Sequence, residues 1–156
     1  KTFNIAGAHI GNAIIPDPDL RARFQGALAA AGVSPAMLGQ DMVAAAYSPE
    51  GAAWVDALVA YLDGNRRIFD EAVNAIPGLR SMPLQATYLS WVDFRDTGMT
   101  EAEITRRIQD DARIAANHGA TFGRGGAGFM RFNIATPRAR VIEAADRLRA
   151  AFADLQ

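Results

Sequence analysis

The stretch HGATFGRGGAGFMRFNIATPR at 118–138 decides the fold. Its second half, GFMRFNIA at 128–135, alternates in the manner of a strand. Met130, Phe132 and Ile134 fall on one face, and Phe129, Arg131 and Asn133 on the other. The first face is wholly apolar and reads as core. Thr136-Pro137 follows as an N-cap with proline at the first helical position, opening a helix over 138–155 that buries Val141, Ala145, Leu148, Phe152 and Leu155.

Working outward, TYLSWVDF at 87–94 predicts a second strand. The segment 101–117 predicts a helix begun by a capping box of Thr100 and Glu103. Strand, helix, strand, helix make a small α/β layer. Upstream of Pro77-Gly78 the rhythm is helical. Residues 51–75 repeat Val55, Leu58, Val59, Leu62, Phe69, Val73 and Ile76 at helical spacing, with Asp63, Arg66, Arg67 and Asp70 on the polar face. Residues 19–31 read as a helix ending at Gly32, and Ser34-Pro35 as the cap and first-turn proline of another. The run from Phe3 to Ile15 reads as a buried strand with its approach loop. A domain boundary is therefore expected near residue 76, dividing 1–76 from 77–156.

The segment GRGGAG at 123–128 satisfies G-x-G-x-x-G, but a dinucleotide fingerprint needs a strand before it and a helix after it. Here a helix is expected before and a strand after, so the glycines read as a loop feeding the strand.

Sixteen basic residues against seventeen acidic ones, without a basic tail or acidic block, leave no mark of a nucleic-acid or membrane-surface partner. The absence of cysteine excludes disulfides, thiolate metal sites and cysteine nucleophiles. Apolar stretches are short and interrupted, so neither a membrane span nor a signal peptide is expected, and the balance is that of a cytoplasmic protein. An opening at Lys1, in mid-pattern, reads as the downstream piece of something longer.

Few residues suggest chemistry by themselves. His9 and His118 have no metal-ligand spacing, Asp110-Asp111 reads as a solvated helix surface, and no G-x-S-x-G turn is present. Lys1 reads as a solvated charge. Arg131, in mid-strand, is either at an edge, in a structural ion pair, or reading a carboxylate with its planar fork. Asn133 either orients it or caps the next loop.

Taken together, KTFNIAG at 1–7, AAYSPEGAAWVDALVAYLDGN at 45–65, TYLSWVDFR at 87–95 and the stretch 118–138 resemble the cystathionine β-lyase/cysteine desulfhydrase branch of the class I/II aminotransferase superfamily. The resemblance runs in order over essentially the whole chain. It implies the carboxy-terminal part of a pyridoxal 5'-phosphate enzyme of fold type I, the aspartate aminotransferase-like α/β class: the end of the large domain at 1–76 and the small α/β domain at 77–156. It implies that Lys1 holds the cofactor and moves the substrate α-proton, and that Arg131 pairs with the α-carboxylate of an amino-acid substrate. It places His9 near the cofactor phosphate, Phe122 with Gly123 at the substrate entrance, and Trp91 and Tyr88 as core or dimer-supporting aromatics. The implied reaction is carbon–sulfur β-elimination, with transamination as the alternative. A third possibility is a non-catalytic sensor domain of a transcription regulator. A homodimer is expected, with the rest of the cofactor site supplied by an upstream segment of the same protein or by another chain.

Overall fold

The structure is a computed structural model that describes residues 2–155. The chain divides into two compact units, Lys1–Ala57 and Leu58–Gln156. The division falls inside the long helix α3, Pro49–Asn74, because its later side chains Phe69 and Val73 belong to the core of the second unit.

In the first unit, helix α1 spans Pro18–Ala30. Asp17 caps it by accepting from the Leu20 amide at 2.8 Å, with Pro18 at the first helical position. It closes through Gly32 at φ +63°, where the Gly32 and Val33 amides donate to the Ala29 and Leu28 carbonyls at 3.1 and 3.0 Å. That paired closure needs a left-handed residue, which glycine adopts without a Cβ penalty. Helix α2, Met37–Ala46, starts later than expected. Its N-cap is Ala36, still extended at φ −66° and ψ 139°, so Ser34 lies too early to reach the helix amides. Ser48 caps α3, its Oγ accepting from the Gly51 amide at 3.0 Å.

The expected strand between Phe3 and Ile15 does not form. Among the described residues the segment has no strand partner and instead makes a 3-10 turn at Ala6–Ala8, with Asn4 and His9 left-handed at φ 53° and 48°. An extended run without a neighbour leaves its amides and carbonyls unpaired, and left-handed residues interrupt the pleat. Gly39 is the only buried residue among those described in this unit.

The second unit begins at Leu58 and contains an α/β layer. Its four-stranded sheet has the order β1-β2-β4-β3, with every neighbouring pair antiparallel. The strands are β1 Arg80–Ser81, β2 Leu89–Asp93, β3 Asn117–His118 and β4 Phe129–Asn133. The face carrying Val92, Met130 and Phe132 packs on α3, on α4 (Glu101–Arg106) and on α5 (Arg138–Ala151), with Phe69, Val73, Ile76, Ile104, Ile108, Val141, Leu148 and Phe152 all buried. Each such side chain contributes about 1.5–3 kcal/mol by leaving water.

The segment 101–117 is not one helix. Thr100 Oγ1 accepts from the Glu103 amide at 3.2 Å, which is half of a capping box, but the Glu103 carboxylate turns to Arg106 and Arg107 instead of back to the cap. Past α4 the backbone widens into a π-helical turn at Arg107–Asp111, with the Ala112 amide donating to the Arg107 carbonyl at 2.8 Å. Arg113, left-handed at φ 55°, then stops it, which frees residues 117–118 to pair as β3. Thr136 likewise does not cap α5. The N-cap is Pro137, and the first helical amide, on Arg138, donates to the Tyr61 hydroxyl at 2.6 Å.

A buried amide joins the layers. Asn65 of α3 donates from Nδ2 to the carbonyls of Ile134 and Thr136 at 3.0 and 2.9 Å, and its Oδ1 accepts from Arg138 Nε at 3.2 Å. This fixes where β4 ends and α5 begins.

Candidate active site

The face of the sheet opposite the core carries the candidate residues. Across it, Trp91 of β2 lies opposite Arg131 of β4, and Arg131 lies opposite Asn117 of β3. Phe122, from the 3-10 turn Gly119–Phe122, covers the row. Its ring sits 4.2 Å from the Arg131 guanidinium carbon and meets Trp91 edge-on at 5.6 Å. Trp91 stacks on Phe129 at 5.5 Å, and Arg95 caps Phe129 at 4.6 Å. The result is a continuous stripe in which two guanidinium groups close the ends of an aromatic row.

The glycine loop fixes Phe122 at the end of that row. A Cβ on Gly126 would lie 2.0 Å from the Gly119 carbonyl oxygen, and one on Gly119 would lie 2.2 Å from that of Gly126. The two backbones touch at a distance only glycine permits. A strand rather than a helix follows the loop, so the nucleotide fingerprint is absent in structure as well.

The two ends of the stripe differ in charge balance. Arg95 grips buried Asp93 with both prongs, Nε to Oδ1 at 2.9 Å and Nη2 to Oδ2 at 2.7 Å, and Arg80 adds a contact at 3.4 Å. The Arg95 guanidinium, against the opposing effect of burial, holds the Asp93 carboxyl at about 2, below its ordinary 3.8. Because the folded value is depressed, the stabilisation is present in full above about pH 4 and lost as pH falls through about 2. The shift corresponds to roughly 2 kcal/mol before discounting for the exposure of both arginines. Asp93→Asn is therefore expected to be less stable than the unsubstituted protein at neutral pH by about 1–2 kcal/mol, a gap that closes on acidification toward pH 2 in denaturant titrations.

Among the described residues Arg131 has no such counter-charge. Four arginines of the second unit are half-buried: Arg66, Arg107, Arg131 and Arg138. Arg66 pairs with Asp63 and Asp70, and Arg107 with Glu103 and Asp154. Arg138 spends its donors on Asn65 and on the Tyr61 carbonyl. Arg131 donates from Nη2 to Asn117 Oδ1 at 3.1 Å, while its Nε is buried without a partner among the described residues. An unpaired buried donor on a cation costs about 1–3 kcal/mol or more, which an entering anion would offset.

The other expected site residues are placed as follows. Asn133 caps the loop after β4, its Oδ1 accepting from the Ala135 amide at 2.9 Å. His9 is exposed and lines an open groove of about 420 Å³ in the first unit with Phe24, Gln25 and Ser34. Arg21, on the same groove, is already committed to the Ile15 and Pro16 carbonyls at 2.8 and 3.2 Å. Lys1 lies outside the described residues. Among the described residues no cluster of histidine and acidic side chains could hold a metal ion. Asn117 was not foreseen, because pairing with Arg131 depends on the register of a two-residue strand.

No family model matches the chain. Individual relatives do. It is 33% identical over 153 residues to cystathionine β-lyase PatB of Bacillus subtilis, covering 97% of this chain and 39% of that protein. The solved structure of cystalysin from Treponema denticola, described as containing a pyridoxal 5'-phosphate cofactor, superposes with a TM-score of 0.86 at 34% identity, over 99% of this chain and 40% of that one. A pyridoxal-phosphate-bound putative aminotransferase from Clostridium difficile superposes with a TM-score of 0.88 at 29% identity, over 97% of this chain and 39% of that one. The chain thus spans about two-fifths of the length of these proteins. Over the stretch it spans, the chain has the fold of these pyridoxal-phosphate-bound proteins and is similar in sequence to the cystathionine β-lyases.

Proposed function

We propose that this chain is the part of a pyridoxal-phosphate-dependent carbon–sulfur β-lyase that supplies the cofactor-holding amine, Lys1, and the reader of the substrate carboxylate, Arg131. The observation that carries the reading is the guanidinium of Arg131: half-buried, faced by the Phe122 ring and, among the described residues, without a carboxylate of its own. Amino acids share an α-carboxylate, and a planar fork with free donors fits it. Lys1 is also the only lysine in the sequence, so within this chain an aldehyde cofactor has a single side-chain ammonium group to condense with.

When bound, the cofactor supplies an electron sink for the bond broken at the α-carbon. Arg131 orients the substrate by its carboxylate and so fixes rotation about the bonds of that carbon. The Lys1 amine, once free, accepts the α-proton. Phe122 covers the guanidinium and Trp91 braces Phe122 edge-on, with the Arg131 Nε held out of water. His9 is assigned to the neighbourhood of the cofactor phosphate. Elimination then breaks the C–S bond and yields a thiol or sulfide, with pyruvate and ammonia after hydrolysis.

In the whole enzyme, residues 1–76 would close the large domain and 77–156 form the small one. The first unit buries little of its own apolar surface, with Ile14 90% and Met37 79% exposed. That supports its packing on a segment upstream of Lys1 and in a homodimer. No helix among the described residues is long and apolar enough to cross a membrane, and a cytoplasmic location is part of the same proposal.

Transamination is the second reading, favoured by the likeness to the Clostridium difficile aminotransferase. Assays of the enzyme carrying this segment separate the two. The lyase reading expects pyruvate and sulfide from L-cysteine, or pyruvate and a thiol from L-cystathionine, without an added keto acid. Turnover that depends on a keto acid and leaves the C–S bond intact would replace it with transamination.

A further inference from the structure

We infer that Asn117 is the positioning residue for Arg131: an uncharged acceptor that fixes one prong of the guanidinium while leaving its charge for the substrate carboxylate. The inference rests on the reading of Arg131 proposed above.

The two residues face each other in the β3–β4 register, and Asn117 Oδ1 accepts from Arg131 Nη2 at 3.1 Å. Asn117 is exposed, so its side chain adds nothing to the core. The strand that carries it is nevertheless held on several sides. Its neighbour His118 places Nδ1 3.4 Å from Thr105 Oγ1 and Nε2 3.1 Å from Gln109 Nε2, and the His118 carbonyl accepts from Thr121 Oγ1 at 2.6 Å. The next residue, Gly119, is locked against Gly126. The acceptor is thus set by the fold, and the long arginine side chain is brought to it.

Two constraints then define the guanidinium. The Phe122 ring, 4.2 Å away, restrains its plane, and the Asn117 oxygen restrains its rotation within that plane. An otherwise free arginine loses rotamer entropy on ordering. A site that has already ordered it asks less of the substrate.

The choice of an amide is informative beside the other end of the stripe. Asp93 holds Arg95 by a bidentate ion pair, which satisfies that guanidinium and compensates its charge. An aspartate at 117 would do the same to Arg131 and would set two carboxylates in competition for one cation. Asparagine has nearly the same shape and supplies the hydrogen bond without the charge.

The test is the calorimetric affinity of the cofactor-loaded enzyme for L-alanine and L-alaninamide, which share the α-amine and differ in the carboxylate. The unsubstituted enzyme is expected to prefer L-alanine. Asn117→Ala should reduce that preference about three- to tenfold and leave alaninamide binding unchanged. Asn117→Asp should reduce it further, with the unfolding temperature and the visible absorbance of the cofactor kept. A purely structural role predicts the reverse order, because aspartate keeps the shape and makes the stronger bond to arginine. The inference is overturned if Asn117→Asp matches or exceeds the unsubstituted preference, if Asn117→Ala leaves it intact, or if both ligands weaken by the same factor. Arg131→Ala separates this failure from that of the reading beneath it. If that variant keeps the preference, the carboxylate reading itself is wrong; if it abolishes the preference while both Asn117 variants retain it, only the positioning role is wrong.

Discussion

Arg131→Ala is expected to lower kcat/KM for an amino-acid substrate by on the order of 10²–10³-fold in the enzyme that carries this segment, with little change in its unfolding temperature. A charge-assisted hydrogen bond contributes about 1.5–3 kcal/mol, and a forked pair to one carboxylate contributes more than either alone. Each 1.4 kcal/mol is about tenfold in rate. Stability should be spared because the side chain lies on the face of the sheet away from the core, and its removal also takes away a buried Nε–H that has no partner among the described residues. Arg131→Lys should fall between the two, since lysine keeps a positive charge but not the planar fork that Phe122 covers. A loss confined to KM would mean that Arg131 binds the substrate equally in ground and transition states. The account expects part of the loss in kcat, because the carboxylate grip also sets the orientation of the bond to be broken.

Lys1→Ala is expected to have the largest effect of any single change: turnover reduced by on the order of 10⁴-fold, from loss of the group proposed to move the α-proton. The visible absorbance that depends on covalent attachment should vanish with it. Lys1 lies outside the described residues. The expectation rests on the likeness to cystathionine β-lyases and on Lys1 being the only lysine of this sequence. All the other basic side chains except the two histidines are arginines, whose guanidinium groups stay protonated at neutral pH and are poor proton acceptors.

The elements that could be read from the sequence are those long enough to show their period. Strands β2 and β4 and helices α1, α3 and α5 appear where alternation or helical spacing places them, within a few residues at their ends. Strands β1 and β3 hold two residues each, too few for alternation to register, although β3 turns out to carry the partner of Arg131. The helix expected over 101–117 overran because Ile104, Ile108 and Ala112 keep the apolar spacing past its true end, whereas the stop is made by backbone, at left-handed Arg113. The run 3–15 was misread for a different reason: apolar character signals a need for burial but does not name a partner, and the first unit supplies none.

The site was legible to a similar degree. Arg131 stood out in its strand as a charge on a half-buried face, and the loop glycines stood out as a pattern whose context was wrong for a nucleotide. The aromatic row that joins Trp91, Phe122 and Phe129 could not be read, because it depends on cross-strand register and on the fold of the loop rather than on spacing along the chain. Asn133, a candidate to orient Arg131, caps the following loop, while Asn117 makes the bond to the guanidinium.

Whether this chain contributes the covalent anchor of a pyridoxal-phosphate enzyme can be read by chemical trapping. The enzyme that carries this segment, purified with its cofactor, is reduced with borohydride to make the attachment permanent, then digested and mapped by mass spectrometry. A single pyridoxyl-modified site is expected, at Lys1 in the sequence KTFNIAG. A modified lysine elsewhere in the protein, with Lys1 unmodified, would contradict it.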